Sequence, residues 1–297
     1  MAHAAFADHD ETLEEARARN VRDALAEDIG RCDWTSLLVA PQARVQARVI
    51  VRERAVLCGR DWFDACLHAL DPHARVAWAG PDGSEREAGS TVCEIDAQAR
   101  ALLSAERPAL NFLQLLSATA TATRAHVRAI AGASPNPRGC AVLDTRKTLP
   151  GLRQAQKYAV RIGGGRNQRL ALWDGILIKE NHIAAAGGIG PALARAQALR
   201  AGVAIQIEVE DLDQLREALR HGAASVLLDN FTVAQMREAV AITAGAALLE
   251  ASGGVGLEQL REIAATGVDR ISVGRLTKDV KAVDYSLRVF EQGGPTP

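Results

Sequence analysis

A cluster of cations gives the first chemical clue. Between Asp144 and Lys179 lie Arg146, Lys147, Arg153, Lys157, Arg161, Arg166, Arg169 and Lys179, against only Asp144 and Asp174. The whole chain carries a formal net charge of -1, so this excess is local and is balanced elsewhere. Three of the chain's five lysines, Lys147, Lys157 and Lys179, fall in this segment, although arginine is otherwise the preferred cation. Arginine grips carboxylate or phosphate through two parallel hydrogen bonds, and lysine adds a compact point charge. Together they suit a small, highly anionic ligand. Two acids further along, Glu208 and Asp229, could hold Mg²⁺ on a pyrophosphate, hydrogen-bond ribose hydroxyls, or offset positive charge developing at a sugar carbon.

The elements that must position these residues follow from the hydrophobic pattern. After Gly139, short apolar runs alternate with amphipathic stretches: Ala141 to Leu143, Ile176 to Ile178, Ala204 to Val209, Ser225 to Leu228, Ala247 to Leu249 and Ile271 to Val273. Helical segments are expected at Asp211 to Arg220, Val233 to Ile242 and Leu257 to Ala265. Strands and helices in this rhythm build a parallel βα barrel. Most of the runs end on polar residues or glycine: Asp144, Lys179, Glu208 to Glu210, Asp229, Glu250 to Ser252, Gly274. Barrel chemistry collects at the carboxyl ends of the strands, so these residues are expected to ring one mouth. Glu208 and Glu210 share a strand face, and spacing does not choose between them.

The first 120 residues read differently. Val45, Ala47, Val49 and Val51 alternate with polar neighbours as in a half-buried strand, an amphipathic helix follows around Asp61 to Leu70, and Pro81-Asp82-Gly83 marks a turn. Leucines and alanines at helical spacing from Glu106 to about Ile130 predict a long connecting helix. We therefore expect an α/β protein of two domains, 1–120 and 121–277, whose tail 278–297 could pack back on the first.

Several function classes are disfavoured. Aromatic content of 4% is too low for a base-stacking platform, and the charge balance offers no extended basic surface, so neither nucleic acid nor a membrane is expected as partner. No apolar run approaches a membrane span, and Met1 to Asn20 lacks an apolar leader core. The five cysteines contain no Cys-x-x-Cys pair, which argues for reduced thiols and a cytoplasmic setting. Arg153, Lys157 and Arg161, four apart, could be a solvated helical face. His182 is expected to be a loop hydrogen-bonding residue. The triplet Gly163 to Gly165 is either an anion-approaching loop or a turn. Ser252-Gly253-Gly254 and Ser272-Val273-Gly274 follow late strands, where barrels build phosphate sites.

Read together, the motifs resemble one family. Asp144-Thr145-Arg146-Lys147-Thr148-x-Pro150-Gly151, Gly163-Gly164-Gly165-x-Asn167, Leu177-Ile178-Lys179-Glu180-Asn181-His182, Leu228-Asp229-Asn230-Phe231 and Glu250-Ala251-Ser252-Gly253-Gly254 resemble the quinolinate phosphoribosyltransferases. Glu27-Asp28-x-Gly30-x-x-Asp33-x-Thr35 and Glu106-Arg107-x-x-Leu110-Asn111 extend the resemblance to nearly the whole chain. It implies an N-terminal α/β sandwich domain followed by an incomplete, seven-stranded βα (TIM-like) barrel, paired as a homodimer, with further assembly left open. The implied reaction joins quinolinate to phosphoribosyl pyrophosphate with Mg²⁺, releasing nicotinate mononucleotide, pyrophosphate and carbon dioxide in NAD biosynthesis.

The resemblance also implies roles. Thr145, Arg146, Lys147, Gln168 and Arg169 would bind quinolinate, with Arg107 reaching in from the neighbouring subunit. Lys147 and Lys179 would meet the phosphoribosyl donor, and Glu208, rather than Glu210, would join Asp229 at the ribose and metal. Ser252, Gly253, Gly254, Ser272, Val273 and Gly274 would hold the 5-phosphate. Lys147, Lys179, Glu208 and Asp229 form the catalytic set.

Two positions depart from the family pattern. Gln168 stands where a histidine is usual, so a contact able to become cationic is replaced by a neutral amide. Cys32 replaces a common glycine, with an effect confined to a local turn. Three rival readings are a Schiff-base aldolase using Lys179 or Lys147, a paralogue acting on a related anionic base, and a non-catalytic metabolite-binding scaffold.

Overall fold

The computed structural model describes residues 10–290. Residues 1–9, the start of the stretch read as lacking a leader, and 291–297, the end of the tail, lie outside the described residues. The chain divides into two compact units: residues 10–121, Leu149–Ile162 and 280–290 in the first, and Ala122–Thr148 with Gly163–Asp279 in the second.

The chain opens with helix α1 (Leu13–Ile29). Thr12 starts it with a capping box: its hydroxyl accepts the Glu15 N–H at 3.2 Å, while the Glu15 carboxylate accepts the Thr12 N–H at 2.8 Å. Strand β1 (Arg44–Val51) follows the expected alternation, with Ala47, Val49 and Val51 wholly buried. After the short β2 (Ala55–Val56) comes α2 (Arg60–His68), which turns Trp62, Phe63, Cys66 and Leu67 inward. The next strands are β3 (Arg75–Trp78), β4 (Glu85–Arg86) and β5 (Thr91–Gln98). Phe63 meets Trp78 edge-on at 5.4 Å, tying α2 to the sheet.

Helix α3 (Ala99–Ile130) begins seven residues earlier than the leucine pattern suggested, directly off β5. Leu102 already lies on its buried face with Leu110, Leu113 and Leu116. Cys58, Cys66 and Cys93 pack in this unit's core, and burial pushes the Cys66 thiol up to about 12. All five cysteines are unpaired.

The second unit carries the barrel-like sheet. Its strands are β6 (Ala141–Leu143), β7 (Gly175–Ile178), β8 (Ala204–Val209), β9 (Ser225–Asp229), β10 (Leu248–Ser252) and β11 (Arg270–Ser272). Between β6 and β7 runs α4 (Arg153–Gly163), most of which belongs to the first unit. The remaining helices are α5 (Glu180–Ala186), α6 (Ile189–Ala198), α7 (Leu212–Arg220), α8 (Val233–Thr243), α9 (Leu260–Ala264) and α10 (Arg275–Lys278). Asp211 and Thr232 cap α7 and α8 by accepting the N–H of Gln214 and Gln235.

All pairings in this sheet are parallel, in the order β6-β11-β10-β9-β8-β7. Six strands form ladders where seven were expected. The seventh position, beside β6, is reduced to one bridge between Leu143 and Arg166. Two backbone bonds make it: the Arg166 N–H to Val142 at 2.8 Å, and the Asp144 N–H to Arg166 at 3.2 Å. The glycine-rich approach and the turn that follows leave no room for a longer run. Gly164 sits there at φ +96°, so the triplet acts as a turn.

The last strand, β12 (Tyr285–Phe290), returns to the first unit and pairs antiparallel with β1, completing a sheet in the order β12-β1-β5-β3. No helix among the described residues is long and apolar enough to cross a membrane.

Candidate active site

The carboxyl ends of the six barrel strands surround a cavity of about 610 Å³ in the second unit. Thr145, Arg146 and Lys147 follow β6, and Gln168 and Arg169 follow the Arg166 bridge. Lys179 follows β7, Glu208 lies on β8, Asp229 ends β9, Ser252 to Gly254 close β10, and Ser272 with Gly274 close β11. Every site residue read from the sequence lines this cavity except Arg107 and Val273. Arg107 lies exposed on α3 in the first unit. Val273 is turned by strand alternation away from Ser272 and Gly274, and is 1% exposed with its N–H bonded to the Leu143 carbonyl at 2.9 Å.

Two strand-end acids do not reach the cavity. Asp144, expected at the mouth, is wholly buried. Its carboxylate accepts the Gln168 N–H at 2.9 Å and the Asn167 amide at 2.5 Å, so it anchors the loop that carries Arg169. Glu210 lies just beyond β8 and is exposed, whereas Glu208 is still in the ladder and faces the cavity. Lys157 is 1% exposed, which removes it from any solvated helical face. His182 uses Nδ1 to accept the Lys179 N–H at 3.0 Å at the start of α5, and does not line the cavity.

Charge is sorted within the cavity. Arg146 and Arg169 stand together on one side. Arg169 is held by the Gly175 carbonyl at 2.8 Å. Burial first, and then the adjacent Arg146 guanidinium, hold Arg169 below its ordinary pKa, and Nε of Arg146 is buried without a hydrogen-bond partner. Two partly buried guanidinium groups of like charge are relieved by an anion placed between them. Across the sheet, Lys179 Nζ meets the Glu208 carboxylate at 3.0 and 3.3 Å. Asp229, the neighbouring acid, accepts the Asn230 amide at 2.9 Å.

Glycine is required where the walls are tightest. Gly253 has φ +102°, and a Cβ there would fall 2.1 Å from Asn230 Oδ1 and 2.9 Å from its backbone nitrogen. Gly253→Ala is therefore expected to cost about 1–3 kcal/mol. Thermal unfolding and the KM for an anionic substrate both read this, and an unchanged pair would contradict the assigned fit. Gly274 leaves a passage for Lys147, whose Cδ would lie 3.2 Å from a Cβ at that position.

Two charged lining residues were not anticipated, Arg275 and Lys278, whereas Glu250, expected at the mouth with its strand end, does line the cavity. The run Gly274-Arg275-Leu276-Thr277-Lys278 directly after the last strand end was the available signal for the two cations. Glu250 is wholly buried, on the same sheet face as Ser252 by strand alternation.

The comparisons with known proteins agree along most of the chain. Residues 33–117 match the quinolinate phosphoribosyl transferase N-terminal domain, and 119–288 match the C-terminal domain. A probable nicotinate-nucleotide pyrophosphorylase (carboxylating) of Bacillus subtilis is 40% identical over 264 residues, 89% of this chain and 90% of that protein. The enzyme named nicotinate-nucleotide pyrophosphorylase (carboxylating) in Mycobacterium leprae is 40% identical over 283 residues, 92% and 97% of the two chains. The solved nicotinate-nucleotide pyrophosphorylase of Francisella tularensis superposes with TM-score 0.89 at 41% identity, over 95% of this chain and 98% of that one. The chain belongs to the quinolinate phosphoribosyltransferase family.

Proposed function

We propose that the protein transfers the phosphoribosyl group of phosphoribosyl pyrophosphate to quinolinate with loss of carbon dioxide. The observation that carries this reading is the Arg146–Arg169 pair: adjacent, partly desolvated guanidinium groups facing a carboxylate pair across one cavity. A dicarboxylate acceptor neutralises the first, and the ribose of the donor sits against the second. The relatives' names, carboxylating pyrophosphorylases, support the same reaction.

In this reading Arg146, Arg169, Gln168 and Thr145 hold quinolinate with its ring nitrogen aimed at the anomeric carbon. The C–O bond to pyrophosphate breaks as the nitrogen attacks, and positive charge develops at the sugar beside Glu208 and Asp229. Lys147 and Lys179 meet the negative charge on the donor, with Lys179 held in place by its ion pair to Glu208. The glycine-rich ends of β10 and β11 receive the 5-phosphate, with Arg275 and Lys278 adding positive charge. Once quaternised, the pyridinium accepts the electron pair left at the ring carbon as carbon dioxide departs, and that carbon then takes a proton. The protein supplies no covalent nucleophile; its contribution is alignment and charge placement.

The residues fit Mg²⁺. Among the described residues no cluster of three or more metal-binding side chains exists. Glu208 and Asp229 nevertheless line the cavity from adjacent strands, and two carboxylates suffice for an ion completed by substrate phosphates and water. When bound, Mg²⁺ supplies neutralisation of the pyrophosphate. The homodimer, with Arg107 crossing to the partner's quinolinate, belongs to the same proposal; its support is an exposed Arg107 that sits in a family motif and is not among the cavity's lining residues. A cytoplasmic setting fits the five unpaired cysteines.

Calorimetry tests the acceptor site. Arg169→Leu is expected to weaken quinolinate binding about 100-fold, through loss of a charge-assisted bidentate contact, with donor affinity little changed. Equal quinolinate affinity in the variant would remove Arg169 from the site.

A further inference from the structure

We propose that Gln206, buried beneath the cavity, is a positioning residue that fixes the direction of the Gln168 amide and thereby sets the strength of acceptor binding. The proposal rests on the reading of the cavity as a quinolinate site. It concerns a residue that the sequence motifs do not single out and that is not part of the cavity lining.

Alternation along β8 puts Gln206 on the face of Glu208, one layer deeper, at 7% exposure. Its Nε2 donates to Glu250 Oε2 at 2.9 Å, and its Oε1 accepts from Gln168 Nε2 at 2.8 Å. Gln168 Oε1 in turn accepts the backbone N–H of Arg169 at 2.6 Å. Glu250 also accepts the Ser272 hydroxyl.

The backbone end of this chain determines its sense. The Arg169 N–H only donates, so it must meet Gln168 Oε1, which leaves Gln168 Nε2 for Gln206 Oε1 and Gln206 Nε2 for Glu250. Two amides in series from a donor-only group have one arrangement in which every contact pairs a donor with an acceptor. Turning either amide around sets like groups against each other on both of its sides. Such chains reinforce one another in a buried setting. The Gln168 backbone is pinned as well, through Asp144. Gln168 is thus oriented by the protein before any substrate arrives, and the binding loss from reorienting a flexible amide is avoided.

The charged groups around Gln206 are Glu250 on β10, with Arg270 of β11 at 3.9 Å from it, and Asp144 and Arg169 on the Gln168 side. An asparagine at position 206 keeps the amide but is one methylene too short to reach Gln168 and Glu250 together.

The test compares wild type, Gln206→Met and Gln206→Asn by isothermal titration with quinolinate and by steady-state KM values for both substrates. Gln206→Met is expected to weaken quinolinate binding about tenfold, the worth of one oriented hydrogen bond, with the donor KM within about twofold. Gln206→Asn is expected to weaken quinolinate binding similarly, again with little change in the donor KM. Unchanged quinolinate affinity in Gln206→Met, or a rise in both KM values together, overturns the proposal while leaving the site reading intact. If Gln206→Met fails to fold, Gln206→Asn decides: a quinolinate affinity equal to wild type overturns it. Wild-type protein that does not bind quinolinate overturns the site reading, and this proposal with it.

Discussion

Lys147→Ala is expected to lower kcat by about two to three orders of magnitude, the scale of removing one preorganised charge from a developing transition state. The fold should tolerate the change. Lys147 is exposed, and its structural contacts run through the backbone: its carbonyl accepts the Thr277 hydroxyl at 2.8 Å, and its N–H donates to Thr145 Oγ1 at 3.0 Å. Neither needs the ammonium group. The side chain passes Gly274 into the cavity, where its charge meets the donor. Unfolding temperature should therefore stay within about 2 °C of wild type, as for an exposed substitution. Turnover within a few-fold of wild type, measured on folded protein, would remove Lys147 from the catalytic set.

The second large effect concerns Arg107. Arg107→Ala should abolish most turnover at limiting quinolinate although the residue lies on α3, outside the cavity lining. Because the proposed contact crosses to the partner, two inactive variants should complement. In a dimer of one Arg107→Ala and one Lys147→Ala subunit, the cavity of the Arg107→Ala chain keeps its own Lys147 and receives an intact Arg107. The other cavity lacks both. Equal co-expression gives half heterodimers, so about a quarter of the sites should work. Each variant alone has none. If Arg107 acted within its own chain, mixed dimers would recover nothing, and that result would end the shared-site account.

Much of this architecture was legible because strand endings are marked by chemistry. A short apolar run followed by a charged residue or glycine located Lys179, Glu208, Asp229 and Ser252, and each reaches the cavity. The same rule misplaced Asp144. It ends a strand too, but its loop folds back so that Asn167 and Gln168 consume its oxygens, a pairing between residues more than 20 positions apart that no local pattern reveals. Glu208 and Glu210 were indistinguishable by alternation, since the choice depends on where the β8 ladder stops.

The interior layer was less legible still. Gln206 looks like a stray polar residue in an apolar strand until the fold brings it to Glu250, two strands away across β9. The seventh strand failed for a related reason: a single bridge at Arg166 has no periodicity to read. Helix α4 shows the limit of reading domains as continuous stretches. It lies between two barrel strands in sequence, yet its buried Ala155 and Ala159 pack in the core of the first unit.

The most direct test of the central claim is formation of nicotinate mononucleotide from quinolinate, phosphoribosyl pyrophosphate and Mg²⁺, run beside nicotinate as competing acceptor. Product and carbon dioxide from quinolinate, with nicotinate inert, are the predicted result and would show that Gln168 serves where the family has histidine. No product from quinolinate alongside turnover of another base would contradict the assigned acceptor while leaving the donor site in place.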